Sequence, residues 1–287
     1  MQTVRYFSAS WNDIKHSPGW FGKMCLLGLL SFIPIFGYMV VNGYLYGWAR
    51  EIAWGVHEPM PTKIFGNEDG KLYRRGFYLL VCAFVWGIAL ALILWLIGMI
   101  PGMATVSTVV SYGSFEYSMV NYSMVYYIFY IVLSIVQSFI VWIGFMRISI
   151  YDHLSAGFQL GKIGKMYAHA PGGIWKIFGM NLLVTLIIFF VLGLVFSILL
   201  SLVLVGAISS AAMSFASSAS ISSVIQILVS AGPALLLIML AMLYVFMVAF
   251  IFVSTLIARA LGYWTYGFDV PHWRSQDELM PFEDTSA

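Results

Sequence analysis

The stretch FYLLVCAFVWGIALALILWLIGMI, residues 77–100, contains no Asp, Glu, Lys, Arg or His and stops at Pro101-Gly102. A helix rises about 1.5 Å per residue, so a run of this length covers the ~30 Å hydrocarbon core of a bilayer. An outer-membrane strand would be about 10 residues long and alternate in polarity. Nothing in 77–100 alternates, so the segment predicts a membrane-spanning helix.

Comparable runs lie on either side. YSMVYYIFYIVLSIVQSFIVWIGFM, residues 122–146, ends at Arg147, and residues 177–208 form a third uninterrupted run. A fourth is placed at 231–258, with Gly232-Pro233 as the expected start of its helix. Upstream, residues 20–57 are apolar but interrupted by Ile33-Pro34-Ile35-Phe36-Gly37, which divides them into arms at 20–36 and 37–57. The whole chain of 287 residues is 61% hydrophobic and 9% charged. Soluble domains carry roughly 25% charged residues, so the composition excludes a water-soluble globule. Two cysteines exclude a disulfide framework, and a net charge of +2 excludes an electrostatic nucleic-acid footprint.

Loop charge sets the expected topology, because cytoplasmic flanks are enriched in Lys and Arg. If 20–57 is a hairpin, all 14 Lys and Arg fall on one side; a single bent span would leave Arg5, Lys15 and Lys23 on the other. The expectation is an all-α, polytopic transmembrane helical bundle with six membrane segments and cytoplasmic N- and C-termini. The first two segments form a short hairpin, either crossing or re-entrant, since their strictly apolar stretches cover only about half a bilayer. Residues 1–262 read as one membrane domain, and 263–287 as a cytoplasmic tail with Asp277, Glu278, Glu283 and Asp284 near its end. No cleavable signal is expected, because Trp11, Asp13, Lys15 and Pro18 precede the first apolar run.

Two stretches read alike: His16-Ser17-Pro18-Gly19 with Lys23, and His169-Ala170-Pro171-Gly172 with Lys176. Each leads into a hairpin that returns at Ala-Arg, Ala49-Arg50 or Ala258-Arg259, which would make a parallel duplication. Tyr6, Phe7 and Trp11, like Leu154, Phe158 and Met166, alternate with polar residues as interfacial helices do.

The first eighty residues contain HSPGWFGKMCLLGLLSFIPIFGYMVVNGYLYGWAREIAWGVHEPMP (16–61) and GKLYRRGFYLL (70–80). This resembles the prokaryotic membrane family known as domain of unknown function 4013. The matching features are the turn Ile33 to Gly37, Gly43-Tyr44, and the span leader Gly76-Phe77; Met60-Pro61 stands where the family has Leu-Pro. The connector from Gly157-Phe158 through Asn181 is also similar, extending the resemblance over most of residues 10–260. It implies a multi-pass protein of a prokaryotic cytoplasmic membrane and assigns no catalytic or binding residue.

Ion-coupled transporters keep an ionisable side chain inside their spans, and the last four runs hold none. Their polar residues include Ser134, Gln137, Ser138, Asn181, Thr185, Gln226, Ser254 and Thr255, expected to hydrogen-bond between helices. Small residues recur at helical spacing in Ala83/Gly87/Ala91 and Gly193/Ser197/Ser201, with Gly43/Gly47 in the hairpin. These are candidate helix-packing faces, for this chain or for a partner. Arg50, Arg74, Arg75, Arg147 and Arg259 crowd the cytoplasmic boundary as candidate lipid head-group or partner contacts, where simple snorkelling competes as an explanation.

Signals for an enzyme are thin. Pro59 breaks the helix that a zinc site at His57-Glu58 needs, Asp152-His153 lacks a nucleophile motif, and neither Cys25 nor Cys82 has a basic neighbour. No catalytic, cofactor or metal residue is expected, and no Gly-rich phosphate loop supplies an ATPase. The sequence therefore points to a non-enzymatic accessory, scaffold or assembly subunit, with a permease for a lipid or small apolar molecule as the alternative. Its expected partners are membrane lipids and either another membrane protein or a second copy of itself.

Overall fold

The computed structural model describes residues 5–65, 70–112, 115–215 and 221–268. Its helices are α1 (Tyr6–His16), α2 (Trp20–Leu30), α3 (Phe36–Ala53), α4 (Leu72–Gly98), α5 (Met124–Tyr151), α6 (Leu160–His169), α7 (Pro171–Phe215) and α8 (Ile221–Tyr266). A short 3-10 turn, Leu154–Phe158, joins α5 to α6. Four helices are long and apolar enough to cross a membrane: α4, α5, Pro171–Val203 of α7 and Gly232–Tyr266 of α8.

Both ends of α7 and of α8 differ from expectation. Helix α7 extends beyond both ends of 177–208, and α8 runs through Gly232-Pro233 where a start was expected. Proline removes one ladder bond, but in an apolar setting no water competes for the freed carbonyls, so the remaining ladder holds the helix together. Helix α8 also continues past Ala258 to Tyr266, so the 262/263 boundary falls inside a helix, while Arg274 and the acidic tail residues lie outside the described residues. A β-hairpin lies between α4 and α5, in a segment to which no element was assigned from sequence. Ala104–Tyr112 (β1) pairs antiparallel with Phe115–Tyr122 (β2), Ala104 opposite Tyr122. The β-branched run Thr105-Val106-Ser107-Thr108-Val109-Val110 carried that signal.

The α2–α3 turn is unusually tight. Ile35 adopts φ +62°, and the Phe36 amide donates to the Pro34 carbonyl at 2.6 Å, closing a γ-turn of the strained, positive-φ kind. Gly37 follows because a Cβ there would lie 2.0 Å from the Leu30 carbonyl oxygen.

Helix α3 is the centre of the packing and touches both α4 and α8 along its length. Tyr44, Trp48, Ala49 and Ile52 are wholly enclosed. Backbones approach closely at two crossings: a Cβ on Gly76 would meet the Met39 carbonyl oxygen at 1.9 Å, and one on Gly262 would meet that of Ala49 at 2.4 Å. Among the described residues, burial is concentrated at a base formed by one end of the long helices, Leu72 to Cys82 of α4, Phe139 to Ile150 of α5 and Ile251 to Thr265 of α8, with Leu94 and Met242 as outliers. The helices α4 and α5 pack against each other, as do α7 and α8, and α5 also touches α8.

The two similar sequence stretches fold into the same order of elements. Helices α1 and α6 are short amphipathic pieces ending at His16 and His169, each followed by a break and a helical hairpin. The segment from Val56 to Phe65 then straps the base. Met60 is buried there, its amide donates a 2.8 Å hydrogen bond to the Ser17 hydroxyl oxygen, and its carbonyl accepts from Lys23 Nζ at 2.9 Å. The Tyr44 hydroxyl donates to the Pro61 carbonyl at 2.8 Å.

Candidate functional site

The boundary arginines divide into two groups. Arg75 (0% exposed), Arg147 (0%) and Arg259 (1%) are enclosed by protein, which corrects their assignment as lipid head-group contacts. Arg259 donates from Nε to Asp13 Oδ2 at 2.7 Å and from Nη1 to the Trp48 carbonyl at 2.8 Å, and its guanidinium lies 4.0 Å from the Trp48 ring centre. Nη2 reaches the Glu58 carbonyl at 3.3 Å, and the Tyr263 hydroxyl donates to the same Asp13 oxygen at 2.8 Å. The network ties α1, α3, the strap and α8 together.

Arg147 holds the α5–α6 connection in the same manner, donating to the Ala156 carbonyl at 3.1 Å and to Gln159 Oε1 at 2.6 Å. Arg75 donates to the Gly43 carbonyl at 3.3 Å, across the α3–α4 crossing. A buried guanidinium is tolerated because its several N–H groups are taken up by carbonyls and a carboxylate. Arg50, half-buried, and Arg74, exposed, remain at the periphery; Arg74 and Lys71 both pair with Asp152, the latter at 2.8 Å. Asp152 itself takes φ +60° to end α5.

The small-residue faces also separate. Gly43 packs within the chain, where a Cβ would come within 2.3 Å of the Leu72 carbonyl oxygen. Ala83 is half-buried, but Gly87, Ala91, Gly193, Ser197 and Ser201 face outward, and a Cβ on Gly87 or Gly193 would meet nothing within 4 Å. These stripes do not pack helices of this chain together. Several polar span residues bond back onto their own helix, as in Ser138 to the Ser134 carbonyl, Ser197 to Leu194, Ser201 to Ile198 and Thr255 to Ile251.

Above the Pro34 turn the hairpins enclose a cleft of about 540 Å³ that the sequence alone did not reveal. Its floor is Ser31 to Ile35, and its walls come from α3, α4, α5 and α8, with Trp142 and Phe145 on one side and Phe250 and Ile251 on another. Tyr38, Asn42, Tyr46 and Ser254 bring polar groups into this apolar lining. Asn42 donates to the Tyr38 carbonyl at 3.0 Å, which leaves its Oδ1 as an acceptor; the hydroxyls of Tyr38, Tyr46 and Ser254 make no hydrogen bond to a described residue. An apolar pocket with a few convergent polar groups suits a small apolar or amphiphilic ligand. Asn42 and Ser254 are far apart in sequence and meet only because α3 and α8 pack together. Among the described residues, no three His, Cys, Asp or Glu side chains gather in a group that could hold a metal.

A family described as protein of unknown function (DUF4013) matches residues 26–205, more than half of the chain. No curated protein and no solved structure matches.

Proposed function

We propose that this chain, which belongs to the DUF4013 family of proteins of unknown function, is a non-enzymatic permease-type protein that takes a lipid or small apolar molecule into the cleft above the Pro34 turn. The observation that carries the reading is the cleft itself, where hydroxyls without a described protein partner and the Asn42 carboxamide oxygen line an apolar chamber. No ATPase is built into the sequence, so movement would follow the concentration gradient or be driven by a partner. The test is transbilayer movement of a fluorescent phosphatidylethanolamine in liposomes holding the full chain. Replacing Asn42 and Ser254 together by leucine removes both polar contacts, each worth about 0.5–2 kcal/mol, and is expected to change the rate about tenfold with the fold intact. Equal rates for a folded variant would remove the cleft as the path.

A second reading, an accessory or assembly subunit, is favoured by the outward-facing stripes Gly87/Ala91 and Gly193/Ser197/Ser201. Such faces let another helix approach closely in lipid.

The proposed topology has the arginine-rich base on the cytoplasmic side of a prokaryotic plasma membrane, both termini cytoplasmic, and the α2–α3 hairpin re-entrant. Helix α2, at 11 residues, rises only about 16 Å. Packing register points the same way: Gly76 of α4 lies against Met39, and Leu80 shares the cleft with Ile35. From Leu80 to its end at Gly98, α4 rises about 27 Å beyond the hairpin tip. In intact cells carrying a cysteine-free background, an impermeant maleimide is expected to label Thr105→Cys and to leave Ile33→Cys unlabelled. Labelling of Ile33→Cys from outside would mean that the hairpin crosses.

A further inference from the structure

A second groove lies on the opposite side of α8 from the cleft, between α1 and the first half of α7. It measures about 700 Å³, and its walls are Met180, Leu183, Val184 and Ile187 of α7, with Tyr6 and Phe252 facing them. The α7 residues follow the helical repeat that puts them on one stripe. Lys176 begins the α7 stripe, and Arg5 joins the lining next to Tyr6, whose hydroxyl lies beside Gly173 at that same end of α7. Both cations are exposed, and neither side chain makes an ion pair or hydrogen bond with a described residue. This distinguishes them from Arg75, Arg147 and Arg259, whose hydrogen bonds go to protein groups at the base.

The groove does not stop at its apolar walls. Ile188 and Phe252 also line a second hollow of about 400 Å³, where Trp11, Trp20, Tyr244 and Val248 continue the apolar surface away from the cations. From Lys176 to Ile188 the helix rises about 18 Å, close to the ~15 Å hydrocarbon depth of one leaflet. Gly179 sits on the path between them, and a Cβ there would meet nothing within 4 Å, so the groove is open at that point. Two cations at one end, then an apolar channel one leaflet deep, have the charge and polarity profile of an anionic phospholipid.

We infer that the α1–α7–α8 groove is a binding site for one anionic phospholipid of the leaflet facing the arginine-rich base, its phosphate held by Arg5 and Lys176 and an acyl chain lying along α7 past Gly179. The site is separate from the cleft, so it stands or falls independently of lipid movement through the chain. It gives the amphipathic α1 a role, since α1 supplies one wall and its preceding residue supplies a cation.

Native mass spectrometry of the full chain, released from nanodiscs with equal phosphatidylglycerol and phosphatidylcholine, tests this. The wild type should retain one phosphatidylglycerol in preference to phosphatidylcholine. The double variant Arg5→Gln/Lys176→Gln should lower that preference on the order of thirtyfold, as expected for two interfacial cations. Gly179→Phe, whose Cβ would meet nothing within 4 Å, places a ring in the channel and should reduce retention of both lipids while leaving the melting temperature unchanged. An unchanged preference in the double variant would overturn the site. So would full lipid retention by Gly179→Phe, which would mean that the cations attract head groups diffusely. Displacement of the lipid by millimolar inorganic phosphate would make the occupant a free anion and would equally overturn it.

Discussion

Replacing Arg259 by alanine is expected to destabilise the protein by about 3–5 kcal/mol, enough to abolish recovery of folded material from membranes. The side chain is enclosed, and its loss strands the Asp13 carboxylate together with the Trp48 and Glu58 carbonyls, which sit on three different elements. It also removes the cation stacked over the Trp48 ring. Asp13→Asn should cost less, about 1–2 kcal/mol, because the amide oxygen still accepts from Arg259 and Tyr263. Thermal unfolding in detergent, followed by circular dichroism, gives both values. A loss below about 1 kcal/mol for Arg259→Ala would show that the pair is solvated and that the base is held by apolar packing alone.

Gly76→Ala should be the next most damaging single change, at about 3 kcal/mol, and Gly87→Ala on the same helix should have the opposite sign. At Gly76 the added carbon would lie 1.9 Å from the Met39 carbonyl oxygen and 2.6 Å from its carbon, both backbone atoms, so α3 and α4 must separate. That separation also disturbs Arg75, which reaches the Gly43 carbonyl across the same crossing. At Gly87 nothing lies within 4 Å, and alanine is better than glycine in a helix by up to about 1 kcal/mol. Chemical denaturation of the two variants in one detergent separates them. Equal effects would mean that the α3–α4 contact is loose. The larger Gly87→Leu bears on the assembly reading, since it should leave unfolding unchanged while weakening any stoichiometric partner recovered by gentle extraction.

Much of the membrane architecture was present in the order of residues. Four long apolar helices cover the apolar runs, and the Ile33 to Gly37 interruption separates α2 from α3, although α8 runs through Gly232-Pro233. The β-hairpin was equally readable, in the Thr/Val alternation after Met103, but a segment between spans invites reading as a loop. The arginines were less accessible to this kind of reading. A guanidinium that closes an apolar run has one sequence signature whether it snorkels to head groups or turns inward onto carbonyls. Arg147 and Arg259 do the second, and Arg74 remains at the surface.

Whether a small-residue stripe meets a helix of this chain was hidden for a related reason. Helix α4 is apolar on every face, so its composition around the axis does not say which face meets α3 and which meets lipid. Gly76 and Gly87 look alike in the sequence, yet one is pressed against a carbonyl and the other stands in open space. What the sequence determined by itself was the solvent: long charge-free runs must be helices in lipid, because no water is there to satisfy a backbone left open. What only the tertiary structure decided was the partnership of faces. The cleft at Asn42 and Ser254 and the groove at Arg5 and Lys176 each join residues from opposite parts of the chain. Such sites depend on which helices pack together, and in lipid that choice rests on shape and hydrogen bonding, which an apolar periodicity does not encode.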